Sequence, residues 1–150
     1  IEQSQTSVAQ TGGLSEQIIG YTNQERTNYG LLALIDSSLA EQAASKHSQN
    51  MAQNNFFAHQ DPAGNGPTER LLALQPDLWS HYFGLGENLM QYPLLFTDNS
   101  ASLAKKMVQE WMNSPGHREN ILNQKFTHIG VSFAVSGNYI YATQVFLTAR

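Results

Sequence analysis

The sequence of 150 residues contains no cysteine, and this absence excludes several kinds of site at once. Disulfide scaffolds, thiolate zinc centres, iron–sulfur clusters and cysteine nucleophiles all depend on that residue. A chain of this length buries about 68–70% of the surface of its unfolded state, so a hydrophobic core can stabilise it without disulfides. We therefore expect one domain of ordinary size.

Charged residues are also scarce, at 13% of the chain, which is about half of the usual share. The 14 glutamines and 12 asparagines outnumber the 8 basic and 12 acidic residues. The net charge is −4 when the histidines are neutral. A protein of this charge is not expected to bind nucleic acid through its overall electrostatic field.

Long hydrophobic runs are absent, since no apolar stretch approaches the roughly 18 residues of a membrane span. The chain begins with Ile1 rather than Met, so we expect that an upstream segment has been removed. Composition alone does not distinguish a cytosolic protein from an exported bacterial one.

The first 13 residues are rich in Gln, Ser and Thr and end in two glycines, which is typical of a linker or disordered tail. Residues 14–150 form the predicted domain. Apolar spacing and capping residues predict five helices. Two of them follow predicted caps: one runs from a cap at 36–38 to about 54–55, and one from a cap at Ser100 to about Trp111. The other three are predicted over residues 14–29, 69–74 and 115–122. Residues 56–68, with two prolines and two glycines, are predicted to be a long loop.

The strands are predicted mainly in the last third of the chain, where the hydrophobic period changes to two. Alternation over 129–135, a turn signal at Ser136-Gly137-Asn138 and an apolar run over 139–148 predict a hairpin. A further strand is expected at 82–92. The 139–148 strand is apolar on both faces and therefore needs cover on both sides. These elements predict an α+β fold, a three-layer α/β/α sandwich with a small central antiparallel sheet.

Two of the five histidines lie where an apolar helix face does not require them, and both are candidate metal ligands. His59 begins the Gly/Pro-rich loop region, and His117 lies just inside a predicted helix start. By contrast, His47 lies on the apolar stripe of the second helix and is interpreted as a packed core histidine. His81 and His128 flank strands and are interpreted as surface or boundary residues.

Glu87 is the most unusual acid, because it lies within an apolar strand. A carboxylate in that position must be paired, hydrogen-bonded or functional, and the structural alternative is a carboxylate bound by backbone N–H groups. The neighbouring Gly86 would resist substitution if its φ angle were positive. A triad of Ser114, His117 and Glu87 is a further alternative, although no sequence context marks Ser114 as a nucleophile.

The sequence carries a series of short motifs along its length. In chain order they are Asn23-Gln24-Glu25-Arg26 with Gly30-Leu31, residues 44–51 with His47-Ser48, Phe57-Ala58-His59, Gly86-Glu87-Asn88-Leu89, residues 111–118 with Asn120-Ile121-Leu122, Ile129-Gly130-Val131, and residues 141–146. Taken together and in this order, these motifs are similar to those of the CAP superfamily, which includes cysteine-rich secretory, antigen 5 and pathogenesis-related proteins, and especially to its bacterial secreted branch (the SCP domain). The resemblance covers roughly residues 14–147.

The resemblance implies an α/β/α sandwich with a cleft lined by two histidines and two acids. Matched by motif, the cleft residues are His59, Glu87 and His117. The second acid of eukaryotic members is replaced by Ser114, so the set of four is incomplete. His59 and His117 would then form an open, weak site for Zn²⁺, because two imidazoles supply only two of four ligands.

The resemblance implies an exported protein, extracellular or in the cell envelope, and a monomer. Its function would be that of a non-catalytic binding module whose cleft takes a divalent metal or a small apolar ligand, such as a sterol or fatty acid, or a cell-envelope or host partner. The alternative is a zinc-dependent, protease-like hydrolase with Glu87 as the general base. The missing second acid argues against the hydrolase.

Overall fold

The computed structural model describes residues 11–94 and 99–150, so most of the predicted tail lies outside the described residues. The helices of the described part are α1 (Leu14–Asn28), α2 (Ser38–Asn54), α3 (Pro67–Leu74), α4 (Leu78–His81), α5 (Ser100–Met112) and α6 (Pro115–Ile121). The strands are β1 (Ile35–Asp36), β2 (Tyr82–Pro93), β3 (His128–Ser136) and β4 (Tyr139–Ala149). None of the described helices has the length and apolar character needed to cross a membrane.

The four strands form one sheet in the order β1-β3-β4-β2. β4 pairs antiparallel with β3, as the hairpin signal predicts, and its other side pairs antiparallel with β2. The short β1 was not predicted from the sequence and pairs in parallel with β3. β2, which carries Glu87, is therefore the outer strand at the edge opposite β1.

Helices cover both faces of the sheet, which confirms the three-layer α+β sandwich. One apolar cluster joins α1, α5 and α6 to Phe146 and its neighbours on β4. A second cluster joins α2, α3 and α4 to Val145 and Leu147. Successive residues of a strand point to opposite faces, so the run of apolar residues in β4 is buried between the two helical layers.

Local capping explains where the helices begin and end. Ser37 accepts the Ala40 N–H at the start of α2, as predicted. Gly30, with φ of 77°, follows α1 in the left-handed conformation that suits glycine. The prediction that Ser100 caps α5 is wrong, because Asn99 is the cap and its side chain accepts the Ser102 N–H at 2.8 Å.

The positive-φ explanation for Gly86 is also wrong, since Gly86 is not among the positive-φ residues. A different constraint applies. A Cβ atom at position 86 would lie 2.7 Å from Cζ of Phe126, inside van der Waals contact. The residue is therefore needed because the Phe126 ring packs closely against β2.

Candidate functional site

The site is built on two neighbouring residues of the edge strand β2. Glu87 lies opposite Val145 and Asn88 opposite Gln144 in the register with β4. Because neighbouring strand residues alternate, Glu87 faces the layer of α2 and α3, whereas Asn88 faces the layer of α1, α5 and α6. The pair therefore connects the edge of the sheet to both helical layers.

Both carboxylate oxygens of Glu87 have side-chain partners. Oε1 accepts from Nδ1 of His59 at 2.8 Å, and Oε2 accepts from Nη2 of Arg70 at 2.7 Å. The Glu87 side chain is only 2% exposed. The interpretation that backbone N–H groups bind this carboxylate is wrong, since it is held by an ion pair and an imidazole.

Arg70, on α3, was not predicted from the sequence, although its guanidinium makes three hydrogen bonds at the site. Its Nη1 donates to the carbonyl of His59 at 2.9 Å and to that of Asn65 at 3.0 Å, in addition to the bond with Glu87. The guanidinium therefore ties the loop before α3 to the edge strand. The signal in the sequence that could have led to Arg70 was the acid at position 87, since a buried carboxylate needs a cation. The chain has only 8 basic residues, so the candidates for that cation were few.

His47 is a packed core histidine, as predicted, and is 1% exposed. Its Nε2 lies 2.8 Å from the carbonyl of Ala58, and that acceptor places the ring proton on Nε2. Burial, and next the positive charge of Arg70, lower the pKa of His47, so the neutral ring is favoured. His47 and Arg70 thus hold the consecutive carbonyls of Ala58 and His59.

The contact with Glu87 also determines the tautomer of His59. A carboxylate accepts hydrogen bonds, so Nδ1 of His59 carries the proton and Nε2 keeps its lone pair. The His59 side chain is 55% exposed. The imidazole is therefore ordered through Nδ1, and no hydrogen bond within the described residues engages its Nε2.

His117 approaches from α6 on the other side of the edge strand. The side chain of Asn88 donates to its carbonyl at 3.1 Å and to Oε1 of Gln144 at 3.0 Å, and accepts from Asn120 at 2.8 Å. Burial, and next the electrostatic interaction with His59, lower the pKa of His117, so the two imidazoles influence each other. Within residues 11–94 and 99–150, no hydrogen bond engages the His117 ring.

Ser114 is placed at the start of α6 and not in a catalytic triad. Its carbonyl accepts the Arg118 N–H at 2.8 Å, and its hydroxyl makes no capping bond. Among the described residues no hydrogen bond joins Ser114 to His117, and Glu87 pairs with His59 instead. The structure therefore brings His59 and Glu87 into contact, with His117 close by, but does not assemble the proposed triad.

The donor set can be compared with the needs of a divalent metal. Imidazole nitrogens are suitable ligands for Zn²⁺, and a carboxylate bound to the far nitrogen of a ligand histidine is a common supporting partner. No group of three or more His, Cys, Asp or Glu suited to a metal is found in the described part of the chain. A metal held here would need water or an outside ligand to complete its coordination.

Comparison with known proteins gives a consistent result. Residues 19–148 match the profile of the CAP, or cysteine-rich secretory protein, family. The uncharacterized protein YkwD of Bacillus subtilis is 36% identical over 124 residues, which is 82% of this chain and 43% of that protein.

Two solved structures are also similar. An extracellular protein of Bacillus anthracis containing an SCP domain shares 31% identity with a TM-score of 0.71, over 91% of this chain and 41% of that one. An outer surface protein of Borrelia burgdorferi, at 18% identity, matches in fold with a TM-score of 0.73 over 89% and 90% of the two chains. The chain spans less than half the length of the curated relatives it matches.

Proposed function

This chain belongs to the cysteine-rich secretory protein (CAP) family, and from that premise we propose that it is an exported binding module that takes a divalent metal ion between His59 and His117. One observation supports the proposal most strongly. Buried Glu87 holds His59 through Nδ1 at 2.8 Å, which leaves the lone pair on Nε2 free and aimed away from the carboxylate.

The electrostatics of the site agree with a cation ligand. Metal binding to histidine requires the neutral imidazole, and the pKa of His117 is lowered by burial and then by His59. The charge of Glu87 is balanced by Arg70, so the carboxylate supports His59 without being consumed as a ligand. Zn²⁺ would act here as a Lewis acid and a structural link between the loop before α3 and α6.

A hydrolase is the second candidate function, and the geometry supports it less well. If Nε2 of His59 binds a metal, His59 has no free nitrogen left to accept a proton. Glu87 would then have to act as the base, yet both of its oxygens are already occupied by His59 and Arg70. Binding is therefore favoured over hydrolysis.

A small apolar ligand, such as a sterol or fatty acid, is a further candidate for the same cleft. Phe57 lies two residues before His59 and is 48% exposed, so the loop that carries His59 also carries exposed apolar surface. An exported protein fits the extracellular and outer-surface relatives. Within the cell envelope or outside the cell, the ligand or partner would reach the cleft from solvent.

The proposal is tested by zinc titration in a calorimeter. We expect wild-type protein to bind one Zn²⁺ and His59→Ala and His117→Ala each to lose that binding. His81→Ala is the matched control, because His81 is an exposed histidine on α4 whose contact is with Asp77. Zinc affinity unchanged in both cleft variants would refute the proposal. Hydrolysis of peptide or ester substrates that depends on Glu87 would favour the second candidate.

A further inference from the structure

β3 extends well beyond the strand that covers its outer edge. β1 has only two residues, whereas β3 spans His128–Ser136. The Ser37 N–H donates to the carbonyl of Ile129, so the odd-numbered residues of β3 direct their backbone groups away from β4, because these directions alternate along an antiparallel strand. Beyond the end of β1, three residues share this direction: Val131, Phe133 and Val135.

We call the backbone N–H and carbonyl groups of Val131, Phe133 and Val135 the free β3 edge. In the part of the chain that the structure describes, no hydrogen bond uses these groups. Backbone donors and acceptors at strand spacing are matched by another extended backbone. The free β3 edge is therefore suited to an added strand.

Side chains occupy backbone groups at the other two edges of the sheet. Nε1 of Trp111 donates to the carbonyl of Leu89 on β2 at 3.0 Å. Just before β1, the side-chain amide of Asn23 accepts the Leu34 N–H at 2.7 Å and donates to the Leu34 carbonyl at 3.1 Å. Such contacts use groups that an added strand would need, and none of this kind is made to the free β3 edge within residues 11–94 and 99–150.

β3 also lacks the features that commonly prevent strand addition. Residues 129–136 contain no charged residue and no proline, and the register with β4 continues without a bulge. Val135 is 38% exposed, and Tyr139 at the start of β4 is 46% exposed. Natural edge strands are usually protected by charge, proline or a bulge, so an unprotected and partly apolar edge indicates a surface that receives a partner strand.

Three acidic side chains lie where the free β3 edge begins. Glu16, Asp36 and Glu41 line one small cavity together with Gly130 and Val131. The ion pairs of the described residues include none of these acids. Glu16 and Glu41 belong to the first turns of α1 and α2, where a helix favours negative charge. A strand added to the free β3 edge would bring one of its ends to this cavity, where a Lys or Arg side chain would face the carboxylates.

We propose that the free β3 edge binds an extended segment of another protein, a strand of β-branched residues with a basic end that reaches Glu16, Asp36 and Glu41. Antiparallel addition, which is the more stable pairing, places that basic end at the C-terminus of the segment. A second copy of the chain fits less well, because its own β3 would bring the uncharged turn at 136–138 to these acids. Residues 1–10 contain no Lys or Arg either. The edge lies across the sheet from β2, and the proposal does not depend on the metal.

Amide hydrogen exchange of the whole chain, followed by ¹H–¹⁵N NMR, tests the proposal. The probe is a capped peptide of alternating Thr and Val that ends in two lysines. At a peptide concentration about tenfold above Kd, exchange at Phe133 and Val135 should slow about tenfold, whereas Ala134, which pairs with Tyr141, is protected from the start. Absence of binding, or protection of Phe133 and Val135 equal to that of Ala134 before peptide is added, would overturn the proposal. Protection that rises with protein concentration alone would assign the edge to a second copy instead.

Substitution at Val135 tests whether the outward backbone group makes the contact. Val135→Pro removes an N–H that the fold does not use, and proline is tolerated on that side of an edge strand. It should weaken peptide binding about tenfold, because one ladder hydrogen bond is lost. Val135→Thr keeps the N–H and the branched side chain and should retain wild-type affinity. If the two folded variants bind the peptide equally well, no strand is added at this edge.

The basic end of the partner strand is tested by replacing both lysines of the peptide with glutamine. The wild-type protein should prefer the lysine peptide about two- to fivefold, the strength of an exposed ion pair. Asp36→Asn should reduce this preference. Asp77→Asn is the matched control, since Asp77 is an exposed acid whose contact is with His81, and should leave the preference unchanged. If wild type shows no preference, or Asp36→Asn keeps all of it, the basic end does not face these acids and the proposal fails.

Discussion

His59 and Glu87 form a hydrogen bond of 2.8 Å between a side chain that is 55% exposed and one that is 2% exposed. The bond joins the loop after α2 to the edge strand β2, 28 residues further along the chain. It fixes both the orientation and the tautomer of the imidazole. The imidazole is therefore at the surface, whereas the carboxylate that orients it is in the interior.

Glu87→Gln should weaken zinc binding without abolishing it. The amide oxygen can still accept from His59, but the negative charge that supports the imidazole is lost, and partners of this kind typically contribute 10- to 100-fold in metal affinity. Zinc calorimetry on the folded variant checks this. An affinity equal to that of wild type would mean that Glu87 does not support the ligand histidine.

Arg70→Met should destabilise the protein by about 3 kcal/mol, because it leaves the buried carboxylate of Glu87 without its cation. Urea denaturation measures the free energy of unfolding. The double variant Arg70→Met/Glu87→Gln should recover part of this loss, since it removes the unpaired charge. If the two substitutions are simply additive, the ion pair with Arg70 does not determine the stability of the site.

Gly86→Ala should cost about 1–3 kcal/mol, because the added Cβ lies 2.7 Å from the Phe126 ring and the core must shift. Gly20→Ala is the matched control. It lies within α1, where nothing is found within 4 Å of the added Cβ, and should stabilise the helix by about 0.5–1 kcal/mol. Equal denaturation midpoints for the two variants would remove the packing explanation.

His47→Gln should reduce the loss of stability at acidic pH. The folded-state pKa of His47 is lowered, first by burial and next by Arg70, against the raising effects of Glu87, the Ala58 carbonyl and Asp61. Below about pH 6.5 the unfolded chain therefore binds more protons at this position, and the free energy of unfolding falls as pH falls. Above that pH, this contribution is constant.

Urea denaturation at about pH 5 and about pH 7.5 tests the prediction for His47, since the two values lie on either side of the unfolded pKa. Glutamine does not titrate and can still donate to the carbonyl of Ala58. Phenylalanine does not titrate either, but it cannot donate to the carbonyl of Ala58. His47→Phe should therefore also be less stable than wild type at the higher pH. If the free energy of unfolding of both variants changes between the two pH values as much as that of wild type, His47 does not cause the change.

The layers of the fold were predictable because local patterns specify them. The two-residue period and the apolar faces of β4 identify a covered central strand, and Ser37 and Gly30 mark helix ends through capping chemistry. The two-residue β1 carries no such pattern, since its pairing depends on its position beside β3. Asn99 rather than Ser100 caps α5. The sequence does not distinguish these two neighbouring positions, because both residue types are good caps.

The candidate site was predicted only where a residue type was unexpected in its local context. Glu87 in an apolar strand required a partner, and His59 and His117 lay outside apolar stripes. Arg70 was not identified, because its partners are two loop carbonyls and a strand carboxylate, and such contacts leave no periodicity in the sequence. The hydrogen bonds of Asn88 to His117, Gln144 and Asn120 likewise depend on register between β2 and β4 and on the placement of α6.

The central claim is that His59 and His117 bind one metal ion through nitrogens that the fold leaves free. Long-range ¹H–¹⁵N NMR of the histidine rings during a zinc titration tests it most directly. We predict that His59 starts with its proton on Nδ1 and that Nε2 of His59 and one nitrogen of His117 shift together at one equivalent of zinc, with His81 and His128 unchanged. Separate titration of the two rings, or a shift at Nδ1 of His59, would contradict this account.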